Sequence, residues 1–181
     1  MTIRHHDELA VLLKHHAYLE GDFVLRSGKR SKYYLDKYRF ETRPELLEAL
    51  GARIAHTINH EGLDVQLLAG PELGAVALAA AASISSRLPF LIVRKAAKEY
   101  GTAKRLEGVY EGGQRVCLVE DVVTSGGAAI EAIEALRAEG LIVESAVCVV
   151  DREEGGADAL SAAGVKLWPL FRASDLLSHQ Q

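Results

Sequence analysis

The sequence predicts an α/β protein, with a central, mainly parallel sheet flanked by helices and a small N-terminal hood. Three observations carry that prediction. Short apolar runs recur at residues 65–69, 90–93, 116–119, 146–150 and 165–170. Helical stretches at 74–86, 127–139 and 156–163 lie between most of them. The runs are continuous rather than alternating, as expected of strands covered on both faces. With 181 residues, 49% hydrophobic and 25% charged, the chain suits one domain that needs no disulfide or structural metal.

Residues 4–19 read as a helix, because Leu9, Leu12, Leu13, His16 and Leu19 share one face. Phe23, Val24 and Leu25 precede Ser27 and Gly28, and Tyr33, Tyr34 and Leu35 follow; two short strands around a turn are expected. Pro44 opens the next helix from its first turn, and Leu46, Leu50, Ile54 and Ile58 form its apolar stripe. The expected organisation is a single domain over 1–181, with a hood of about 1–42 and a core of about 60–171.

The net charge of -4 argues against a uniformly basic, nucleic-acid-gripping surface. Cys117 and Cys148 each sit inside an apolar run and read as buried free thiols, the usage of a reducing cytoplasm. The first ten residues lack the apolar segment of a signal peptide. The longest uncharged apolar stretch, 73–86, is too short to span a bilayer, so a soluble, cytoplasmic protein is expected. The histidine pairs His5-His6 and His15-His16 lack the other ligands of a metal site, and His16 is expected to be a half-buried helix residue.

In parallel sheets the ligand site lies at the carboxyl ends of the strands. The loop after residue 119 is the most informative. Glu120, Asp121, Val122 and Val123 lead into Thr124, Ser125, Gly126 and Gly127, and then a helix beginning near Ala128. The first amides of a helix lack internal partners, and the helix dipole favours an anion there. Glycines allow close approach to a phosphate, and Thr124 and Ser125 add hydroxyl donors. The plain alternative is an ordinary helix cap by one of those hydroxyls. The chain has neither a G-x-x-x-x-G-K-[ST] loop nor a G-x-G dinucleotide fingerprint. Its distinguishing mark is the acidic pair at the end of a buried strand, which needs partners such as ribose hydroxyls or a Mg²⁺-bound sugar. Strand alternation directs Glu120 and Asp121 to opposite faces; both reach one sugar only if the chain leaves strand geometry.

The stretch from Leu118 to Ala128 resembles the phosphoribosyl diphosphate (PRPP) motif of type I phosphoribosyltransferases. Other strand-end motifs follow in that family's order, from about Leu9 to the last strand, and they are closest to its orotate-using members. The resemblance implies that fold, PRPP and orotate as substrates, Mg²⁺ as cofactor, and a homodimer sharing a loop across its interface. It places Glu120 and Asp121 on the ribose, with Mg²⁺ held mainly through PRPP and near these two residues. It places residues 122–128 around the 5′-phosphate, with Thr124 also reaching the base.

The segment from Arg94 to Arg105 carries five basic residues and one acidic residue, which suits a polyanion. It resembles the family's mobile catalytic loop. Arg94, Lys95 and Lys98 match, and Tyr100 stands where some members have histidine. These residues are expected on the diphosphate, with Arg94, Lys95, Lys98 and Asp121 as the catalytic set. Gly70, Pro71 and Glu72 resemble the diphosphate loop, whose exposed amides form an anion nest. Many relatives have a lysine there, and this chain has none.

Asp151, Arg152, Gly155 and Gly156 fall on a D-R-x-x-G-G stretch, where the resemblance implies that Arg152 reads orotate by planar bidentate contacts. Arg26 in the hood stands where relatives often have lysine, and Tyr34 and Leu35 occupy the base-stacking positions. The expected reaction gives orotidine 5′-monophosphate and diphosphate, a step of de novo pyrimidine biosynthesis. The alternatives are a phosphoribosyltransferase for another base and a catalytically silent PRPP- or nucleotide-sensing regulator. Charge is concentrated where these motifs lie: residues 26–39 balance to +5 and residues 94–105 to +4.

Overall fold

The continuous apolar runs become neighbouring parallel strands in a computed structural model, which describes residues 6–24, 28, 30–96 and 105–178. The main sheet has six strands in the order β5-β4-β3-β6-β7-β8. Its parallel members are β3 (Leu67–Pro71), β4 (Phe90–Val93), β6 (Arg115–Val123), β7 (Ile142–Asp151) and β8 (Lys166–Arg172). The short edge strand β5 (Leu106–Glu107) pairs antiparallel with β4.

From β3 the chain crosses to β4 on one side, then returns to place β6 on the other. That reversal opens a crevice at the carboxyl ends of β3 and β6, the position where open α/β sheets bind ligands. Helix α5 (Gly127–Ala138) covers one sheet face, its Ala132, Ile133 and Leu136 packing with Val116 and Leu118. On the other face α3 (Pro44–His60) and α4 (Gly74–Ser86) pack Leu46, Leu50 and Leu78 with Cys117 and Val119. The Pro44 start and the four-residue apolar stripe of α3 are as expected, and all four stripe residues are buried. The last two helices are α6 (Gly156–Ala162) and α7 (Ala173–Ser178).

Several boundaries differ from the sequence expectation. Helix α1 (His6–Ala17) stops before Leu19, which joins β1 (Tyr18–Val24); β2 (Arg30–Leu35) completes a separate two-stranded ribbon. The strand expected over 116–119 runs on to Val123, because β7 offers it a partner as far as Asp151. Likewise β3 keeps Gly70 and Pro71 as strand residues paired with Ile92 and Val93. The hood is also smaller than the expected 1–42. Leu9, Ala10, Leu13 and Ala17 of α1 and Phe40 of α2 (Tyr38–Glu41) lie in the same buried cluster as Leu46, Leu50 and Ile54. Only the ribbon stands apart as its own sheet.

Candidate active site

At the end of β6, regular alternation carries the faces of Val116–Val119 forward: Glu120 points toward the α5 side and Asp121 toward the α3–α4 side. The chain does not leave strand geometry here, and both side chains are buried. Each Asp121 oxygen has one protein partner. Its Oδ1 accepts the Val122 N–H at 2.5 Å, and its Oδ2 accepts from Lys37 Nζ at 2.5 Å. Burial works against the Lys37 charge, but the hydrogen bond and negative charge of Asp121 outweigh it and raise its pKa.

Glu41, at the end of α2, completes this cluster. A Cβ built on Gly74 would lie 2.0 Å from Asp121 Oδ2, 2.9 Å from Lys37 Nζ and 3.0 Å from Glu41 Oε1. Only a glycine fits at the start of α4, because the three polar groups converge on its α-carbon. Burial first, and then the Asp121 charge, push the Glu41 carboxyl up to about 8. The sequence reading missed Lys37 and Glu41. The signal for Lys37 was its place in the basic 26–39 segment, but no local pattern pairs it with a residue 84 positions away.

Glu120 has a different environment. Its Oε1 is buried and finds no hydrogen-bond partner among the described residues. Burial and the neighbouring Asp121 push its carboxyl up to about 8. A buried carboxylate oxygen without a partner is costly. A sugar hydroxyl or a hard divalent cation is the kind of partner that relieves this cost. Among the described residues no group of three or more His, Cys, Asp or Glu side chains could hold a metal ion. Glu120 Oε1 is thus a single donor open to a sugar hydroxyl or to a cation brought by an oxygen-rich substrate.

Beyond β6 the chain turns through Thr124 and Ser125, both exposed, into α5. The N-cap is Gly126, with φ 82°, and no side chain caps the helix. The plain reading of Thr124 or Ser125 as a cap is therefore not observed. The first amides of α5 and the two hydroxyls stay available to an anion, beside exposed Gly127 and Ala128. Gly156 seats this turn from below: its Cβ would come within 2.4 Å of Val123 Cγ1 and 2.5 Å of the Thr124 carbonyl.

Arg152 extends from the end of β7, where its N–H donates to the Val123 carbonyl at 2.9 Å. Its side chain is 9% exposed, with Nε 3.1 Å from Glu154 Oε1. The guanidinium lies over the Tyr33 ring at 5.2 Å, and Tyr33 stacks on Tyr18 at 5.4 Å. A narrow cleft here is lined by Tyr18, Tyr33, Leu35 and Arg152, with Val150 and α7 behind them. Leu35 is thus beside Arg152 as expected, but Tyr34 is not. Adjacent strand residues face opposite ways, so Tyr34 lies on the other ribbon face, 42% exposed and tilted against Phe23. The structure puts Tyr33 in its place.

On the other side of the crevice, Gly70 and Pro71 end β3 and Glu72 follows, beside Arg94 and Lys95 just past the end of β4. Lys98, Tyr100 and Arg26 lie outside the described residues. His16 is half-buried, as expected for its helix face, and burial and the neighbouring Arg43 lower its pKa.

This crevice, with its acidic strand end, uncapped helix and basic strand end, is the architecture of a phosphoribosyl-transferring protein. A family model described as "Phosphoribosyl transferase domain" matches residues 42–162, and the chain belongs to that family. The relatives it resembles narrow the class to one branch. The orotate phosphoribosyltransferase of Methanocella arvoryzae is 49% identical over 174 residues, covering 96% of this chain and 98% of that protein. That of Halobacterium salinarum is 48% identical over 157 residues, covering 87% of each. The crystal structure of Mycobacterium tuberculosis orotate phosphoribosyltransferase superimposes with a TM-score of 0.84 at 31% identity, covering 94% of this chain and 98% of that one.

Proposed function

We propose that this chain transfers the 5-phosphoribosyl group of PRPP to orotate, giving orotidine 5′-monophosphate and diphosphate. The observation that carries the reading is the crevice itself: a buried, unpartnered Glu120 between an uncapped helix and the Arg94–Lys95 strand end, with Arg152 at one end. The names of the relatives supply the base, because they are orotate enzymes over nearly the full chain.

In the reaction the bond from ribose C1 to the diphosphate oxygen breaks, and a bond to an orotate ring nitrogen forms as that nitrogen gives up its proton to solvent or to the leaving diphosphate. The leaving diphosphate takes the electron pair, so positive charge develops on the ribose. No covalent nucleophile is needed; positioning and electrostatics carry the catalysis. Arg94, Lys95 and Lys98 stabilise the departing diphosphate, with Tyr100 in the same loop. Glu120 holds the ribose hydroxyls near the developing charge. Asp121, fixed by Lys37, contributes its negative charge and its remaining lone pairs from the opposite side of β6. The amides and hydroxyls of residues 124–128 hold the 5′-phosphate. Pro71 has no N–H and the Glu72 N–H is spent on the Val93 carbonyl, so this segment borders the diphosphate without the expected nest of amides, and the cations at the end of β4 carry the binding. Arg152, with Thr124, Leu35 and the aromatic ribbon, orients orotate. Bound Mg²⁺ supplies further neutralisation of the diphosphate charge.

We place the enzyme in the cytoplasm as a homodimer whose basic loops serve neighbouring sites. Support for the first comes from Cys117 and Cys148, both free and buried, and from the lack of any described helix long and apolar enough to cross a membrane. Support for the second is the resemblance of the 94–105 segment to a shared loop.

The decisive assay mixes the protein with PRPP, Mg²⁺ and orotate and follows loss of orotate absorbance. Turnover is expected with orotate and not with uracil or adenine. Turnover confined to another base refutes the substrate assignment. Replacement of Arg152 by lysine keeps the charge and loses the planar fork, so the KM for orotate rises roughly 10-fold or more while that for PRPP holds.

A further inference from the structure

A carboxylate in a loop meant for diphosphate is a misfit on charge alone. The surroundings of Glu72 remove the contradiction. Strands β3 and β4 pair in parallel as far as Pro71 and Val93, and the Glu72 N–H continues the ladder by donating to the Val93 carbonyl at 2.8 Å. One residue further on, the ladder lacks a backbone acceptor, and the Glu72 side chain supplies one. Its Oε1 accepts the Lys95 N–H at 2.7 Å. Its Oε2 lies 3.9 Å from Arg94 Nε, so the negative charge is directed at a cation rather than at the crevice. Arg94 is held from its other side as well. Its N–H donates to the Arg105 carbonyl at 2.8 Å, and Arg105 Nε donates to the Arg94 carbonyl at 3.1 Å. The root of the basic segment is therefore pinned by its own returning arm on one side and by the Glu72 carboxylate on the other.

We infer that Glu72 is a positioning residue. Its carboxylate braces the root of the basic loop against the end of β3 and so sets where Arg94 and Lys95 meet the diphosphate of PRPP. The inference rests on the proposed role of those two cations. It reassigns Glu72 from a substrate contact to a group that acts through its neighbours. It also explains how a loop without a lysine serves a diphosphate: the cations come from β4, and Glu72 fixes their approach. Misplacement of a binding group by about an ångström is enough to be felt in turnover, so a brace of this kind has a kinetic signature.

The test compares Glu72→Ala, which loses the brace, with Glu72→Gln, which keeps the Oε1 acceptor and loses the charge. With Glu72→Ala the KM for PRPP is expected to rise about 10-fold, with the KM for orotate unchanged. Glu72→Gln should restore most of the loss. Amide hydrogen exchange in the substrate-free protein supplies a readout independent of activity. Exchange at Lys95 should quicken in Glu72→Ala and stay near wild type in Glu72→Gln. An unchanged KM for PRPP in Glu72→Ala overturns the inference. So does an equal rise in both KM values, or a glutamine variant as impaired as alanine in both readouts. If Glu72→Ala fails to fold, Glu72→Ser carries the same comparison. Arg94→Ala and Lys95→Ala separate the two levels. If they leave the KM for PRPP intact, the role of the cations fails, and with it this inference. If they raise it and Glu72→Ala does not, only the role of Glu72 fails.

Discussion

Glu120 and Glu41 are the residues whose protonation most affects the folded chain. Both carboxyl groups are pushed up to about 8 from an ordinary 4.5, chiefly by burial. A carboxyl with a raised folded pKa binds its proton more tightly when folded. Its contribution to stability is complete below about 4.5 and is lost as pH rises toward about 8. The substrate-free protein should therefore lose stability to urea between about pH 5 and about pH 8. In Glu120→Gln the slope should flatten, and an identical slope would refute the assignment. Lys37 has the opposite dependence on its partner. Replacing it with methionine leaves Asp121 buried with its charge uncompensated, at a cost of roughly 2–4 kcal/mol. That estimate is at the modest end because the Lys37 side chain is 35% exposed. Adding Asp121→Asn to Lys37→Met should recover part of the stability in a double-mutant cycle but not the turnover.

At the scale of elements, the site depends on how closely the β6–α5 turn rests on the start of α6. A Cβ on Gly156 would press into a packed Val123 methyl group and the Thr124 carbonyl, and the carbonyl has little freedom to yield. Gly156→Ala should therefore displace the 124–127 turn. The expected outcome is a KM for PRPP raised several-fold and a lowered melting temperature. A variant with wild-type KM would show that the turn is not seated there. The elements were legible in the sequence to differing degrees. Helix α3 was plain, because Pro44 and a four-residue stripe mark both its start and its buried face. Strand β6 was read four residues too short at its carboxyl end, since Glu120 and Asp121 look like loop residues until β7 supplies hydrogen-bond partners. The edge strand β5 and the short helices α2 and α7 were not foreseen: two to six residues are too few for a period to emerge.

Across the whole molecule, the division into hood and core follows packing rather than chain order. Helix α1 is N-terminal, yet Leu9, Leu13 and Ala17 belong to the cluster that covers one face of the sheet. Leu13→Ala should consequently cost about 2–5 kcal/mol, as for any fully buried leucine. A change below about 1 kcal/mol would mean that α1 is a detachable part of the hood.

The sequence alone determined the fold class and the positions along the chain of the parallel strands and of the loops at their carboxyl ends, because these depend on local apolar period and short motifs. It also located Glu120, Asp121, Arg94, Lys95 and Arg152 at strand ends, where the structure has them. Only the tertiary structure decided which of these face one another. Residue alternation moved Tyr33, rather than Tyr34, beside Arg152, since a single step along a strand reverses the face. Chain crossing brought Lys37 and Glu41 under Gly74 to confine Asp121, while Glu120 Oε1, like Glu41 Oε1, has no hydrogen-bond partner among the described residues. Such pairings join residues many positions apart, and burial and hydrogen bonding across the sheet, rather than any local pattern, select them.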